Sequence, residues 1–107
     1  MMKMLIELDI PYSQDNTIWQ ELDGIFAEQS CDKVLQTNNS VLYEGNSDSD
    51  NNFVEFGVLY VKLSDNVKFM KHATKWILFD NDDDDKLPLQ ETDILHEIKA
   101  FKTVYGG

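Results

Sequence analysis

Cysteine is nearly absent. Cys31 is the only one in 107 residues, so no internal disulfide can form. A reducing compartment fits that usage. Basic residues are also few: nine Lys and Arg stand against 20 Asp and Glu, a formal net charge of −11. Such a chain repels nucleic acid and anionic membrane and attracts basic proteins, so no direct nucleic-acid contact is expected. No apolar run approaches the ~20 residues needed to cross a bilayer. The N-terminal stretch MMKMLIELDIPY carries Glu7 and Asp9 and lacks a cleavage site, so it reads as neither signal peptide nor membrane anchor. The cytoplasm is the expected location. There is no P-loop, GxGxxG, GxSxG, HExxH or paired Cys-x-x-Cys. No cofactor is expected, and the chain reads as a non-enzyme.

Against these absences stands ample apolar material, 42% of residues with 11% aromatic. That supports a real core and one domain over residues 1–107. Residues 53–63, FVEFGVLYVKL, look like the organising stretch. Read with period two, Phe53, Leu59, Val61 and Leu63 point one way and Val54, Phe56, Val58 and Tyr60 the other. The β-branched and aromatic content predicts a central strand covered on both faces. Gly57 within it implies a bulge, a close approach or merely small packing.

Residues 3–10 predict a strand with Met4, Ile6 and Leu8 on one side, ended by Pro11. Ile18, Trp19, Leu22, Ile25 and Phe26 recur every three or four positions and predict an amphipathic helix over 17–29, capped by Ser13 or Asp15. Glu21, Asp23 and Glu28 fall on its outer face, and Gly24 inside it would permit close packing on the sheet. Asn38 and Asn39 predict a hairpin turn between strands at 32–36 and 40–44. Residues 45–52, GNSDSDNN, read as an exposed loop. Residues 67–75 are ambiguous: a helix would carry a poor stripe of Val67, Met70, Lys71 and Thr74, and a strand would put Val67, Phe69 and Lys71 on one side; WILF at 76–79 predicts a short buried strand. Residues 80–86, DNDDDDK, read as a loop, and a last helix opens at Gln90 or Thr92 with Ile94, Leu95, Ile98 and Phe101 on one face. The expected fold is α+β: a single, largely antiparallel sheet of about four to six strands with two helices packed on it. The alternative is a ferredoxin-like arrangement, should residues 67–75 be helical.

The acidic loop invites a calcium reading. Asp80, Asp82, Asp84 and Glu91 match positions 1, 3, 5 and 12 of an EF-hand loop. Asp85 stands where the sharp turn needs glycine, and Pro88 stands at position 9. His72 and His96 share no metal-ligand spacing with Cys31, which reads as a buried thiol. Asp93, three residues before His96, predicts a local charge contact. Trp19 and Trp76 read as core, with an exposed interface anchor as the other possibility.

The charge favours a partner over a reaction. The leading expectation is a small acidic protein that neutralises a basic protein partner, as bacterial immunity proteins of this size and charge block toxins, nucleases among them. The expected contacts are Asp80, Asp82, Asp83, Asp84 and Asp85, with Asp48 and Asp50. Glu21, Asp23 and Glu28 form a second acidic face. The alternatives are a DNA mimic that occupies a restriction or CRISPR effector, and a calcium-binding module using residues 80–91.

Overall fold

The computed structural model describes residues 2–13, 16–46, 52–80, 88 and 90–105. Its first element, β1 (Met2–Leu8), alternates as a strand covered on one side should. Met2, Met4, Ile6 and Leu8 are buried, while Lys3, Leu5 and Glu7 are half-buried on the other face.

The predicted amphipathic helix follows as α1 (Thr17–Glu28) and buries Ile18, Trp19, Leu22 and Phe26. Its cap is Asn16, whose Oδ1 accepts from the Ile18 N–H at 3.0 Å, rather than Ser13; Asp15 lies outside the described residues. Ser30, at φ 59°, turns the chain from this helix into the predicted hairpin. Strands β2 (Cys31–Gln36) and β3 (Ser40–Gly45) pair antiparallel, with a register shift between Lys33 and Leu35. The tip of this hairpin is tied to the chain around β1: the Leu8 N–H donates to Asn39 O at 3.0 Å and the Tyr12 N–H to Asn38 O at 2.7 Å.

The organising stretch is not a strand. It forms α2 (Asn52–Ser64), with Phe56, Leu59 and Leu63 buried at helical spacing. Helix costs Val54, Val58 and Val61 only a few tenths of a kcal/mol each. Burying Phe56, Leu59 and Leu63 contributes about 1.5–3 kcal/mol apiece. The burial term wins. Val54 and Val61, one from each of the two faces expected to be covered, are solvent-exposed.

Residues 67–75 divide between two elements. A short helix, α3 (Val67–His72), is capped by Asn66, whose Oδ1 accepts from the Phe69 N–H at 3.0 Å. Strand β4 (Ala73–Asp80) then contains the predicted WILF segment. A four-residue strand absent from the expectation, β5 (Gln90–Asp93), pairs with it and leads into α4 (Ile94–Tyr105).

The sheet order is β2-β3-β1-β4-β5, and every neighbouring pair is antiparallel. The fold is therefore α+β with one antiparallel sheet, carrying four helices among the described residues rather than two. From β1 through β4 the element order is βαββααβ, the β-α-β-β-α-β order of ferredoxin-like domains with α2 and α3 together in the place of the second helix; residues 67–75 supply only the shorter of the two, and the stretch expected as a strand supplies the other. Strand β5 and helix α4 extend it beyond β4. All four helices bury side chains into one cluster with Met4, Ile6, Tyr43 and Trp76 of the sheet.

Gly24 and Gly57 are both exposed in helices, and a Cβ at either would meet nothing within 4 Å. Neither marks a close approach, and Gly57 lies in no strand to bulge. Glycine in an open helical position is worth about 1 kcal/mol less than alanine. Gly24→Ala and Gly57→Ala are each expected to raise unfolding stability by about 0.5–1 kcal/mol, read as a shifted urea midpoint at constant slope. A lowered midpoint would show that one of these positions is tightly packed.

Candidate interaction surface

The carboxylates of α1 divide between two flanks. Asp23 lies on the flank beside β2 and β3 and is occupied there. Its Oδ2 accepts from Tyr12 Oη at 2.8 Å, and its Oδ1 from Tyr43 Oη at 2.6 Å. Lys33 Nζ stands 3.5 Å from Oδ2, donates to Tyr12 Oη, and lies 4.6 Å from the centroid of the Tyr12 ring. Burial first, then the Asp23 hydrogen bond and charge, push the Tyr43 phenol pKa well up. Lys33 is raised by its hydrogen bond to Tyr12, against the opposing cost of burial, and by the charge of Asp23. These shifts keep the Tyr43 phenol protonated and the Lys33 ammonium charged at neutral pH. The negative charge of Asp23 is balanced inside the fold and contributes little to attracting a partner.

Glu21 and Glu28 lie on the other flank, toward α2 and α3. Glu21 Oε1 accepts from Asn66 Nδ2 at 3.1 Å, and Glu28 Oε2 is 3.4 Å from Lys62 Nζ. Both remain exposed, where such contacts are weak and leave the charge accessible. The structure thus separates Asp23 from the two glutamates grouped with it by sequence. Tyr12, Tyr43 and Lys33, which hold Asp23, were not among the expected site residues. They reach it from three other segments, a convergence no spacing rule signals.

Asp80 closes β4 and pairs in register with Gln90. Asp48, Asp50, Asp82, Asp83, Asp84 and Asp85 lie outside the described residues. Strands rather than helices flank the acidic connection. Phe79 opposes Glu91 while Asp80 opposes Gln90, so Asp80 and Glu91 leave opposite faces of the sheet. That placement does not reproduce the first and twelfth ligands of an EF-hand. Among the described residues no group of three or more His, Cys, Asp or Glu is placed to hold a metal ion.

His72 Nδ1 lies 2.9 Å from Asp9 Oδ1, and Asp93 Oδ1 accepts from the backbone N–H of His96 as a helix cap. Cys31 is buried on β2, with β3 and β1 between it and β4, while His72 ends the helix that leads into β4 and His96 lies on the helix that follows β5. Burial, with the charges of Glu55 and Asp32, pushes its thiol up to about 12. Trp19 and Trp76 are fully buried and serve the core rather than an interface.

What the surface does offer is apolar. Helix α2 turns Val54 (61% exposed), Tyr60 (44%) and Val61 (55%) outward, although its inner face already fills the core. A surface helix ordinarily opposes a polar face to its apolar one. Two grooves flank the C-terminal half of α2. One, about 620 Å³, runs to α4 and is lined by Tyr60, Ser64, Asp65, Ile94, Glu97, Ile98 and Phe101. The other, about 590 Å³, runs to α1 and α3 between Ile25, Val61 and Val67, with Glu21, Asp65, Lys62 and Lys68 at its rim. A third apolar feature crosses the helix-free sheet face. Register aligns Leu35, Leu42, Leu5 and Ile77 in one row, with Lys3 and Lys75 in the neighbouring rows.

Among the described residues no helix is long and apolar enough to cross a membrane. No protein-family model, curated protein or solved structure matches the chain.

Proposed function

We propose that the protein binds and neutralises a basic protein in the cytoplasm, as an immunity protein covers the phosphate-gripping cleft of a nuclease-like toxin. The observation that carries this reading is the surplus of acid: 20 Asp and Glu against nine Lys and Arg on a fold of 107 residues. A field of that sign raises encounter rates with a positive cleft and slows encounters with nucleic acid. Glu21, Glu28, Asp65 and Glu97 add exposed carboxylates to the helical layer. The acids at 48, 50, 80 and 82–85 add seven more to the chain.

The test is the association rate with a basic partner captured on the immobilised protein. Raising salt is expected to slow association by about tenfold or more, with a smaller effect on dissociation. Changing Asp48, Asp50, Asp80, Asp82, Asp83, Asp84 and Asp85 to asparagine is expected to slow it comparably at low salt. An association rate indifferent to both salt and these substitutions would remove charge as the basis of recognition.

A further inference from the structure

Resting on the reading of an acidic partner-binding protein, we propose that the groove between α2 and α4 receives a basic amphipathic helix of the partner. Its apolar side would lie on Tyr60, Ile98 and Phe101, and its lysines or arginines against Asp65 and Glu97.

Four observations converge on this groove. Its floor is apolar, with Ile94 buried and Ile98 half-buried, and Phe101 at its edge is 63% exposed. Two nearby helices form its walls, the geometry into which a third helix lays an i, i+3, i+4 row of side chains. Among the described residues its polar lining is Ser64, Asp65 and Glu97, with two carboxylates and no basic side chain. Finally, Tyr60 has a rigid backing: its ring centroid stands 5.7 Å from that of the buried Trp76. An aromatic side chain held in this way loses little freedom on binding.

Charge selects the occupant. A second copy of this chain would bring a further net charge of −11 toward the two carboxylates, which opposes self-association there. A basic helix meets the opposite balance. The remaining apolar surfaces are less selective, because Lys62 and Lys68 rim the other groove and Lys3 and Lys75 flank the aliphatic row of the open sheet face.

The test uses the full chain and three synthetic helical peptides of about 15 residues. The first carries leucine and lysine at amphipathic spacing. The second replaces its leucines by serine, and the third replaces its lysines by glutamate. Amide chemical shifts are followed during titration. The leucine–lysine peptide is expected to bind saturably and to shift Tyr60, Ser64, Asp65, Glu97, Ile98 and Phe101. The serine–lysine peptide is expected to bind at least about tenfold more weakly, and the glutamate peptide not to bind. Phe101→Ala and Glu97→Gln are each expected to weaken the first peptide by about threefold or more. The control Leu35→Ser, on the open sheet face, should leave its affinity unchanged. All variants are checked by circular dichroism for an intact fold. Equal binding of the first two peptides would overturn the groove and leave the acidic-partner reading standing. So would shifts centred on Leu35, Leu42 and Ile77, or an affinity untouched by Phe101→Ala and Glu97→Gln. Failure of both basic peptides to bind would overturn both.

Discussion

Trp76→Ala is expected to lower unfolding stability by about 3–5 kcal/mol, the usual loss for an aromatic deleted from a core. The indole is fully buried on β4, beside the central strand. It meets the Phe69 ring edge-on at 5.3 Å and 84°, and its Nε1 lies 3.5 Å from Met4 Sδ. With Tyr60 across it, one side chain joins β1, β4, α2 and α3. A domain of this size is stable by about 5–15 kcal/mol. Self-repulsion among so many like charges favours the low end of that range, so the variant should be partly unfolded in water. Urea titration followed by far-UV circular dichroism gives the measurement. Trp76→Phe, which keeps most of the apolar volume, should cost clearly less. A loss below about 1 kcal/mol for the alanine variant would show that the site collapses around the deletion or that the indole is not the hub of the core.

Raising the pH from about 8 to about 11 is expected to weaken the fold by roughly 4 kcal/mol. Three groups act in the same direction. Cys31 ionises ordinarily at 9.0 and in the fold at about 12. Above pH 9 the unfolded chain therefore releases a proton that the folded chain retains, and stability falls by about 1.4 kcal/mol per pH unit. Tyr43, raised from 10.0, adds a second such slope above pH 10. Lys33 is raised from 10.5 as a cation, so its stabilising charge is fully present below that value and is lost as pH climbs through the folded one. Urea midpoints across this range provide the readout. Cys31→Ala should delete the earliest part of the decline and move its onset up to about pH 10. Identical alkaline curves for the two proteins would contradict a buried, protonated thiol at position 31.

Elements whose pattern came from one buried face were legible in the sequence. The stripe of Ile18, Trp19, Leu22 and Phe26 located α1, and Asn38 and Asn39 located the hairpin. Helix α2 was misread because its apolar residues serve two surfaces. Phe56, Leu59 and Leu63 face the core while Val54, Tyr60 and Val61 face solvent, and the sum mimics a strand covered on both sides. Strand β5 left no trace because QETD is polar and three of its four residues are exposed; its register with Ile77 to Asp80 defines it, not its own composition. Among the acids, Glu21 and Asp23 flank the buried stripe of α1 on opposite sides, so helical periodicity alone treats them alike. Which flank meets Tyr12 and Tyr43 depends on how α1 lies across the sheet, and that follows from the whole topology. Of the outward apolar side chains that spoiled the period, Tyr60 lines the groove toward α4 and Val61 the groove toward α1 and α3.

Strand β1 is synthesised first yet lies in the middle of the sheet, bonded to β3 on one side and β4 on the other. At ~5–20 residues per second, a ribosome needs roughly 4–14 s to pass from the end of β1 to the end of β4. Until β4 follows, β1 has no partner on one side, which is when a holdase chaperone or a protease has its best access.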